Sequence, residues 1–218
     1  RSLLRQSLKP TEIIVIDDGS TDALGEALKE FGSNLQLIHL PARSGAPNAR
    51  NVGFQVSKGD LVMFSDADLI FKPQALEKLN KVLIEQPEAA YSYPSFKFGW
   101  IKFHGRPFSA EKLKQRNYIH TSALIRRSAQ PKFDESLKRF QDWDLWLTLA
   151  EQGKFGIWVP EILYKALPRG KGLGISNWLP RFMYSVPWNL FGWKPERIRR
   201  YDEAAAIIRM KHQLYEGS

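Results

Sequence analysis

The sequence contains no cysteine, which excludes disulfides, thiolate zinc sites and a cysteine nucleophile and fits a reducing compartment. It also lacks long apolar runs. No stretch approaches the ~18 uncharged apolar residues that a membrane-spanning helix needs. The opening residues, RSLLRQSLKP, are too polar for a signal peptide. A soluble or membrane-peripheral chain is therefore expected. Internal repeats, low-complexity tracts and a Gly-rich phosphate loop are missing as well. Present instead is a 43% share of hydrophobic residues across 218 positions, enough for one sizeable core, which excludes a disordered chain. Charge is unevenly spread. Residues 1–164 carry 22 Lys and Arg against 19 Asp and Glu, while residues 165–218 carry 10 against 4. The basic surplus thus sits in the tail, beside a run of aromatics.

Ile13-Ile14-Val15-Ile16 and Leu61-Val62-Met63-Phe64 are short apolar runs that each stop in acidic residues, the pattern of buried parallel strands. Leu35-Gln36-Leu37-Ile38 is a weaker third. Helical patterns alternate with them. Residues 22–31 are expected as a helix capped by Ser20, Thr21 or Asp22 and ended by Gly32. Residues 46–57 form a second, and a third runs from Pro73 to about Gln86. Trp143, Trp146, Leu147 and Ala150 share one helix face ahead of Gly153. IHTSALI, residues 119–125, reads as a strand. Residues 92–118 are aromatic and basic without a period and read as a long functional loop. Residues 195–215 read as a last amphipathic helix, with Ile198, Tyr201, Ala205 and Ile208 on one side. The alternation predicts an α/β sandwich around a mainly parallel sheet.

Four motifs carry chemistry. Asp17-Asp18-Gly19-Ser20 follows the first strand, where open α/β sheets bind ligands; its plainer reading is a strand-to-helix turn. Asp66-Ala67-Asp68 follows the second. In an extended segment, residues two apart point the same way, so the two carboxylates would form a hard oxygen site for Mg²⁺ or Mn²⁺; its plainer reading is a polar turn. Asp142, in Gln141-Asp142-Trp143-Asp144, opens the tryptophan-rich helix, whose dipole favours an ionised carboxylate able to accept a proton; the same residue also reads as a cap. In Arg43 to Asn51, RSGAPNARN, a turn leads into a helix at Arg50, either as a phosphate or ribose contact or as an ordinary junction.

The order of these motifs is more specific than any one of them. I-I-V-I-D-D-G-S-T-D, G-A-P-N-A-R-N-V-G, K-G-D-L-V-M-F-S-D-A-D, F-D-E-S-L, Q-D-W-D-L-W-L and V-P-E-I-L-Y together make residues 1–170 resemble glycosyltransferase family 2. The resemblance implies the GT-A fold of nucleotide-diphospho-sugar transferases, a Rossmann-like α/β/α sandwich. It implies a catalytic domain over residues 1–170 and a basic aromatic appendage over 171–218. Asp17 and Asp18 would match the nucleotide-contacting acidic pair, and Arg50 and Asp66 would join them there. Asp66 and Asp68 would hold the metal, Mg²⁺ or Mn²⁺. Asp142 would be the general base of an inverting transfer from a nucleotide-sugar donor to an acceptor hydroxyl. The acceptor would be a sugar, a lipid-linked molecule or a protein, as in polysaccharide biosynthesis.

Three departures from the family pattern stand out. The family opens with a strand and a short nucleotide-holding segment, whereas this chain opens at Ser2-Leu3-Leu4-Arg5-Gln6-Ser7, in what should be the first helix, so a fragment lacking its first strand is expected. Gln141 stands where a glutamate is usual. The loop after Tyr164, where a histidine is frequent, reads KALPRGKGLG, so Arg169 and Lys171 are expected to meet the diphosphate. Trp100 is the expected sugar-stacking residue, and His120 either lines the acceptor site or is bonded within the fold.

The tail NWLPRFMYSVPWNLFGWKPERIRR suits either a membrane interface or a packed appendage. The expected location is the cytoplasm, with peripheral contact at the inner face of the membrane. No nucleic-acid partner is expected, since no RNP-type pattern appears. The rival readings are a nucleotidyltransferase on a similar sheet and a non-catalytic membrane- or RNA-associating protein.

Overall fold

The acid-terminated apolar runs do become strands, but Leu61–Met63 pairs antiparallel with Leu124–Arg126 rather than in the parallel way expected. The computed structural model describes residues 1–167 and 194–214, together with Val186 and Trp188. Strand β1 (Ile14–Asp17) pairs in parallel with β2 (Gln36–His39), which sets Asp17 opposite His39. Between them lies a helix α1 (Leu24–Leu28) and a 3₁₀ segment, Lys29–Asn34. The single helix expected over 22–31 is thus split. Its N-cap is Ala23, whose methyl side chain can accept no amide, so none of Ser20, Thr21 and Asp22 is the cap expected of it. Helix α2 (Ala46–Val56) lies so close on β1 that a Cβ at Gly53 would stand 3.3 Å from Ile16 Cγ1.

A six-stranded sheet holds β3 (Leu61–Met63), β4 (Leu69–Phe71), β5 (Tyr91–Phe98), β6 (Ile101–Phe103), β7 (Leu124–Arg126) and β8 (Gly156–Ala166). Its order is β3-β7-β5-β8-β4, with β6 added on β5. The central pair β5–β8 is parallel, and the flanking pairs are antiparallel. Among the described residues no ladder joins β1 or β2 to this sheet. Glu12, just before β1, bridges to it by accepting the amides of Lys58 and Gly59 at 2.6 and 2.9 Å.

Helices cover both faces, as an α/β sandwich requires. Helix α3 (Ala75–Glu85) buries Ala75, Leu76, Leu79 and Leu83 along one stripe and packs on Leu124, Val159 and Leu163. Helix α5 (Gln141–Glu151) covers the other face, where Trp146 lies 4.6 Å from the Tyr91 ring. Strand β7 alternates as the pleat demands, with Leu124 in the α3 layer and Ile125 in the α5 layer. The buried indole N–H groups of Trp143 and Trp146 donate to Leu113 and Ile119 carbonyls at 2.7 and 2.8 Å. Leu113 belongs to the short helix α4 (Ala110–Gln115).

Three sequence expectations are corrected here. Residues 92–118 are not a loop; they hold most of β5, all of β6 and α4. Strand β5 is buried on both faces along Tyr91–Ser95, so polar and apolar residues need not alternate. The strand expected over 119–125 is confined to its end. Its earlier polar groups bond locally, Ser122 N to His120 Nδ1 and Ala123 N to the Thr121 carbonyl, rather than to a neighbouring strand. The opening Ser2–Arg5 makes a turn rather than part of a helix. Gln6 docks it, donating to the Lys72 carbonyl and accepting the Leu76 amide at the start of α3.

The last helix, α6 (Glu196–Lys211), lies on α5 and buries Ile198, Ala205 and Ile208, the stripe expected from spacing. His212 sits between Asp144 and Glu151 at 2.8 and 2.7 Å, and Lys211 reaches Asp134 and Asp144 at 2.6 and 2.8 Å.

Candidate active site

Asp17 ends β1 with both carboxylate oxygens engaged: Oδ1 accepts the Ser20 amide and Oδ2 meets His39 Nδ1, each at 2.8 Å. These contacts, Ser20 foremost, lower its pKa. Asp18 accepts Ser44 N at 2.6 Å, Ser44 Oγ at 2.9 Å and Gly45 N at 2.8 Å. Burial works against its charge, yet those amides outweigh burial and lower its pKa. Both are therefore ionised residues that hold loops. Gly45, the N-cap of α2, is at φ 93°, a conformation that glycine adopts without strain.

Arg50, just over one turn into α2, is the crossing point of three elements. Its Nη2 donates to Asp66 Oδ1 at 2.9 Å and its Nη1 to Gln141 Oε1 at 2.7 Å, while its guanidinium lies 5.5 Å above the Phe133 ring. The planar fork suits such a two-way bridge. Gln141 keeps this contact as a neutral acceptor and donates to the Leu137 carbonyl at 2.9 Å. The loop before α5 is clamped by Asn51, whose side chain bonds both the amide and the carbonyl of Phe133 at 2.8 and 3.0 Å and Glu135 at 2.9 Å.

The Asp66-Ala67-Asp68 segment is a turn between β3 and β4, not an extended run; Leu69 N donates to the Asp66 carbonyl at 3.3 Å. Alternation therefore does not align the two carboxylates. Arg50 draws Asp66 toward α5, and the Asp68 carbonyl accepts Leu167 N at 2.9 Å, tying the end of β8 to this turn. Among the described residues no group of three or more His, Cys, Asp or Glu side chains is arranged to hold a metal ion. Two carboxylates of hard oxygen donors do suit Mg²⁺ or Mn²⁺, which keep waters and take phosphate oxygens for their other positions.

Asp142 lies in the first turn of α5, and its Oδ1 accepts the Trp143 amide at 2.9 Å. It is enclosed by protein on most sides, yet part of its surface stays open. Burial raises its pKa, against the lowering pull of His120, the Trp143 amide and Arg50. The helix start alone therefore does not set its charge, as spacing suggested. Asp144, two residues on, is buried and turned to His212 and Lys211. The two aspartates thus part company: Asp142 stays part-open, while Asp144 is buried and serves the packing of α6.

His120 joins this group, and the charges of Asp66, Asp142, Arg50 and Asp68 all act on it; burial, the largest influence, lowers its pKa. Tyr164 on β8 is buried, and Asp66 and Asp142 act on it too. The structure therefore assembles Arg50, Asp66, Asp68 and Asp142 with His120 and Tyr164. Asp17 and Asp18 lie at the other end of α2's lead-in. Arg169 and Lys171 lie outside the described residues. Trp100 is fully exposed, on the β5–β6 turn. Sequence reasoning missed Asn51, Tyr164 and the bridging role of Gln141. Only the position of Asn51, beside Arg50 in A-R-N, hinted at its part.

The family model of Glycosyl transferase family 2 matches residues 1–134. The chain belongs to that family. This family 2 domain is 25% identical to glycosyltransferase EpsJ of Bacillus subtilis over 213 residues, 95% of this chain and 55% of that protein. It is 34% identical to Glycosyltransferase GlyG of Streptococcus pneumoniae over 87 residues, 38% of this chain and 29% of that one. Among solved structures, S. aureus TarS (residues 1–349) matches with a TM-score of 0.62 at 20% identity, over 76% of this chain and 54% of that chain. Mannosyltransferase PcManGT from Pyrobaculum calidifontis, solved with GDP-Man and Mn²⁺, matches with a TM-score of 0.60 at 19% identity, over 78% and 52%. At these identities the structural likeness is one of fold, and the fold is the GT-A architecture that the sequence suggested. The chain spans about half the length of EpsJ, of the TarS 1–349 chain and of PcManGT, and less of GlyG.

Proposed function

We propose that this domain transfers a sugar from a nucleotide-sugar donor to an acceptor hydroxyl with inversion, and that Asp142 is the general base. The observation that carries this reading is the contrast at the start of α5. Asp142 is a part-open carboxylate with a raised pKa beside the Arg50–Asp66 pair, while Asp144 is committed to α6. A base works best when its pKa lies nearer the operating pH than an ordinary carboxylate's does. Asp142 takes the acceptor's proton as the acceptor oxygen attacks the anomeric carbon. The bond from that carbon to the diphosphate oxygen breaks, and its electron pair leaves with the nucleoside diphosphate. One displacement from the opposite face inverts the centre, as in inverting hydrolysis.

Asp66 and Asp68 are the residues that would hold Mg²⁺ or Mn²⁺. A bound divalent ion neutralises diphosphate charge and makes a better leaving group. The donor and metal of PcManGT support a nucleotide-sugar and a divalent ion for this domain as well. Arg50 orients Asp66 against Gln141. Asp17 and Asp18 belong to the nucleotide side of the proposal, through the loops that they fix; Arg169 and Lys171 belong to the diphosphate side on sequence alone. The acceptor class, a sugar, a lipid-linked molecule or a protein, follows from the family.

The division at residue 170 is also proposed. The packing of α6 on α5 supports an appendage at 194–214 that adheres to the domain. No helix among the described residues is long and apolar enough to cross a membrane. A cytoplasmic enzyme whose basic segment 165–193 meets the inner face of the membrane is the reading that the charge distribution favours.

The test is calorimetric binding of UDP-, GDP- and dTDP-sugars with Mn²⁺ and with EDTA, followed by transfer to candidate acceptors and determination of the product's anomeric configuration. Binding of none of the donors, or a product that retains configuration, would overturn the reading.

A further inference from the structure

Beside the carboxylates lies a group of rings that the mechanism above does not use. Strand β8 pairs Tyr164 with Phe96 of β5 on one side and Phe71 of β4 on the other. The Tyr164 ring stacks on Phe96 at 5.4 Å and 12°, Phe96 stacks on Phe103 at 4.8 Å and 5°, and Phe71 closes the far side at 5.2 Å. His120 lies against Phe96 and Tyr164 at 5.0 and 5.6 Å. Tyr164 is 1% exposed, and its hydroxyl has no hydrogen-bond partner. A buried hydroxyl left unpaired is costly, so it calls for a reason. Tyr91 is unpaired too, but only another tyrosine acts on it, whereas Asp66 and Asp142 act on Tyr164.

His120 complements Tyr164. Its Nδ1 accepts the Ser122 amide at 3.2 Å, and a backbone N–H can only donate. The ring proton of neutral His120 therefore sits on Nε2, which makes that atom a donor. The rest of the site is rich in acceptors: Asp66, Asp68 and Asp142. Among the described residues its cationic fork is Arg50, which already donates to Gln141 and Asp66. A sugar hydroxyl both donates and accepts, so it needs neutral donors as well as carboxylates.

We propose that Tyr164 Oη and His120 Nε2 form a neutral donor pair, held by the packed rings around them, that binds the hydroxyls of the transferred sugar between Asp66 and Asp142. The transferred sugar is favoured over the acceptor because Tyr164 is held on the D-x-D side: β8 pairs with β4 directly after Asp68, and Leu167 N bonds the Asp68 carbonyl. The unpaired hydroxyl is then the state that awaits substrate. A site built to bond a hydroxyl discriminates strongly against ligands that lack it. The proposal rests on the nucleotide-sugar reading above.

The experiment compares each nucleotide-sugar with its bare nucleoside diphosphate, in Mn²⁺, on the wild type and on Tyr164→Phe and His120→Gln. Tyr164→Phe removes one oxygen that the fold does not use, so its melting temperature should hold or rise. The affinity advantage of the sugar nucleotide over the diphosphate should shrink by about 3- to 10-fold for each variant, the worth of one hydrogen bond, while diphosphate affinity stays put. An unchanged ratio in Tyr164→Phe, or an equal loss for both ligands, overturns this proposal alone. A wild type that binds none of the donors sinks the nucleotide-sugar reading and this one with it.

Discussion

Asp142→Asn separates the base from the scaffold. Asparagine keeps the size of the side chain and an oxygen for the Trp143 amide, now 2.9 Å from Oδ1. It cannot take a proton. Transfer should fall by ~10²–10⁴, the usual scale for a general base, which is about 3–5 kcal/mol in the barrier. Donor binding should survive. Stability should hold or rise, because burial disfavours the Asp142 charge that the substitution removes. Asp144→Asn should show the opposite signature. It weakens the contacts to His212 and Lys211, each 2.8 Å from Oδ1, in a buried setting. Stripping a buried pair costs ~3–5 kcal/mol, but His212 keeps Glu151 and Lys211 keeps Asp134, so a loss of about 2 kcal/mol is expected. For a chain of this size that is a drop of roughly 4–8 °C in melting temperature, with turnover at permissive temperature little changed. The assay is steady-state transfer plus a thermal melt on both variants. Near-normal turnover by Asp142→Asn refutes the assignment, and greater damage to turnover from Asp144→Asn moves the base role there.

Further outcomes are expected of the metal, of the Arg50 bridge, of pH and of the tail. Asp66→Asn and Asp68→Asn should each weaken Mn²⁺-supported donor binding by calorimetry; equal wild-type affinity in Mn²⁺ and EDTA counts against a metal role. Arg50→Lys replaces a fork that reaches Gln141 and Asp66 with a point charge, so turnover should drop by about 10-fold or more despite the kept charge, and wild-type rates would show the bridge to be idle. Burial opposes the charge of His212, yet Asp144 and Glu151 outweigh it and raise its pKa. Its contribution to stability is therefore full below about pH 6.5 and is lost as pH rises through its higher folded value. Melts from pH 6 to 9 should show this loss, which His212→Gln should abolish. Asp134, held down to about 2 chiefly by Lys211, works the other way: its contribution is present above about pH 4 and lost as pH falls toward that value. Finally, the basic tail should bind anionic vesicles in a salt-sensitive way, whereas equal flotation with neutral vesicles would favour a fully packed appendage.

Local pattern was enough where a segment has one buried side and one kind of neighbour. The acid-terminated strands β1 and β3, the amphipathic α3 and the stripe of α6 all follow from period and punctuation. It failed where both faces are buried. Strand β5 carries aromatics on each side, so Tyr91–Phe98 has no alternation to detect. It also failed where a segment bonds to itself, as at His120–Ser122.

The sequence by itself determined the family, through the order of its motifs, and with it the kinds of residue available: carboxylates after strands, an arginine on α2, an aspartate opening α5. Those are local facts, because strand ends and helix starts are set by neighbours in the chain. Only the tertiary structure decided which of them meet. It turned Asp66 toward Arg50 and gave Gln141 to the same arginine. It left Asp142 part-open and bound Asp144 to His212, 68 residues away. Residues two apart on a helix point about 200° apart and so face different elements, and burial then sets their charge. No window of sequence contains the partners, 16 to 91 residues distant, that make these choices.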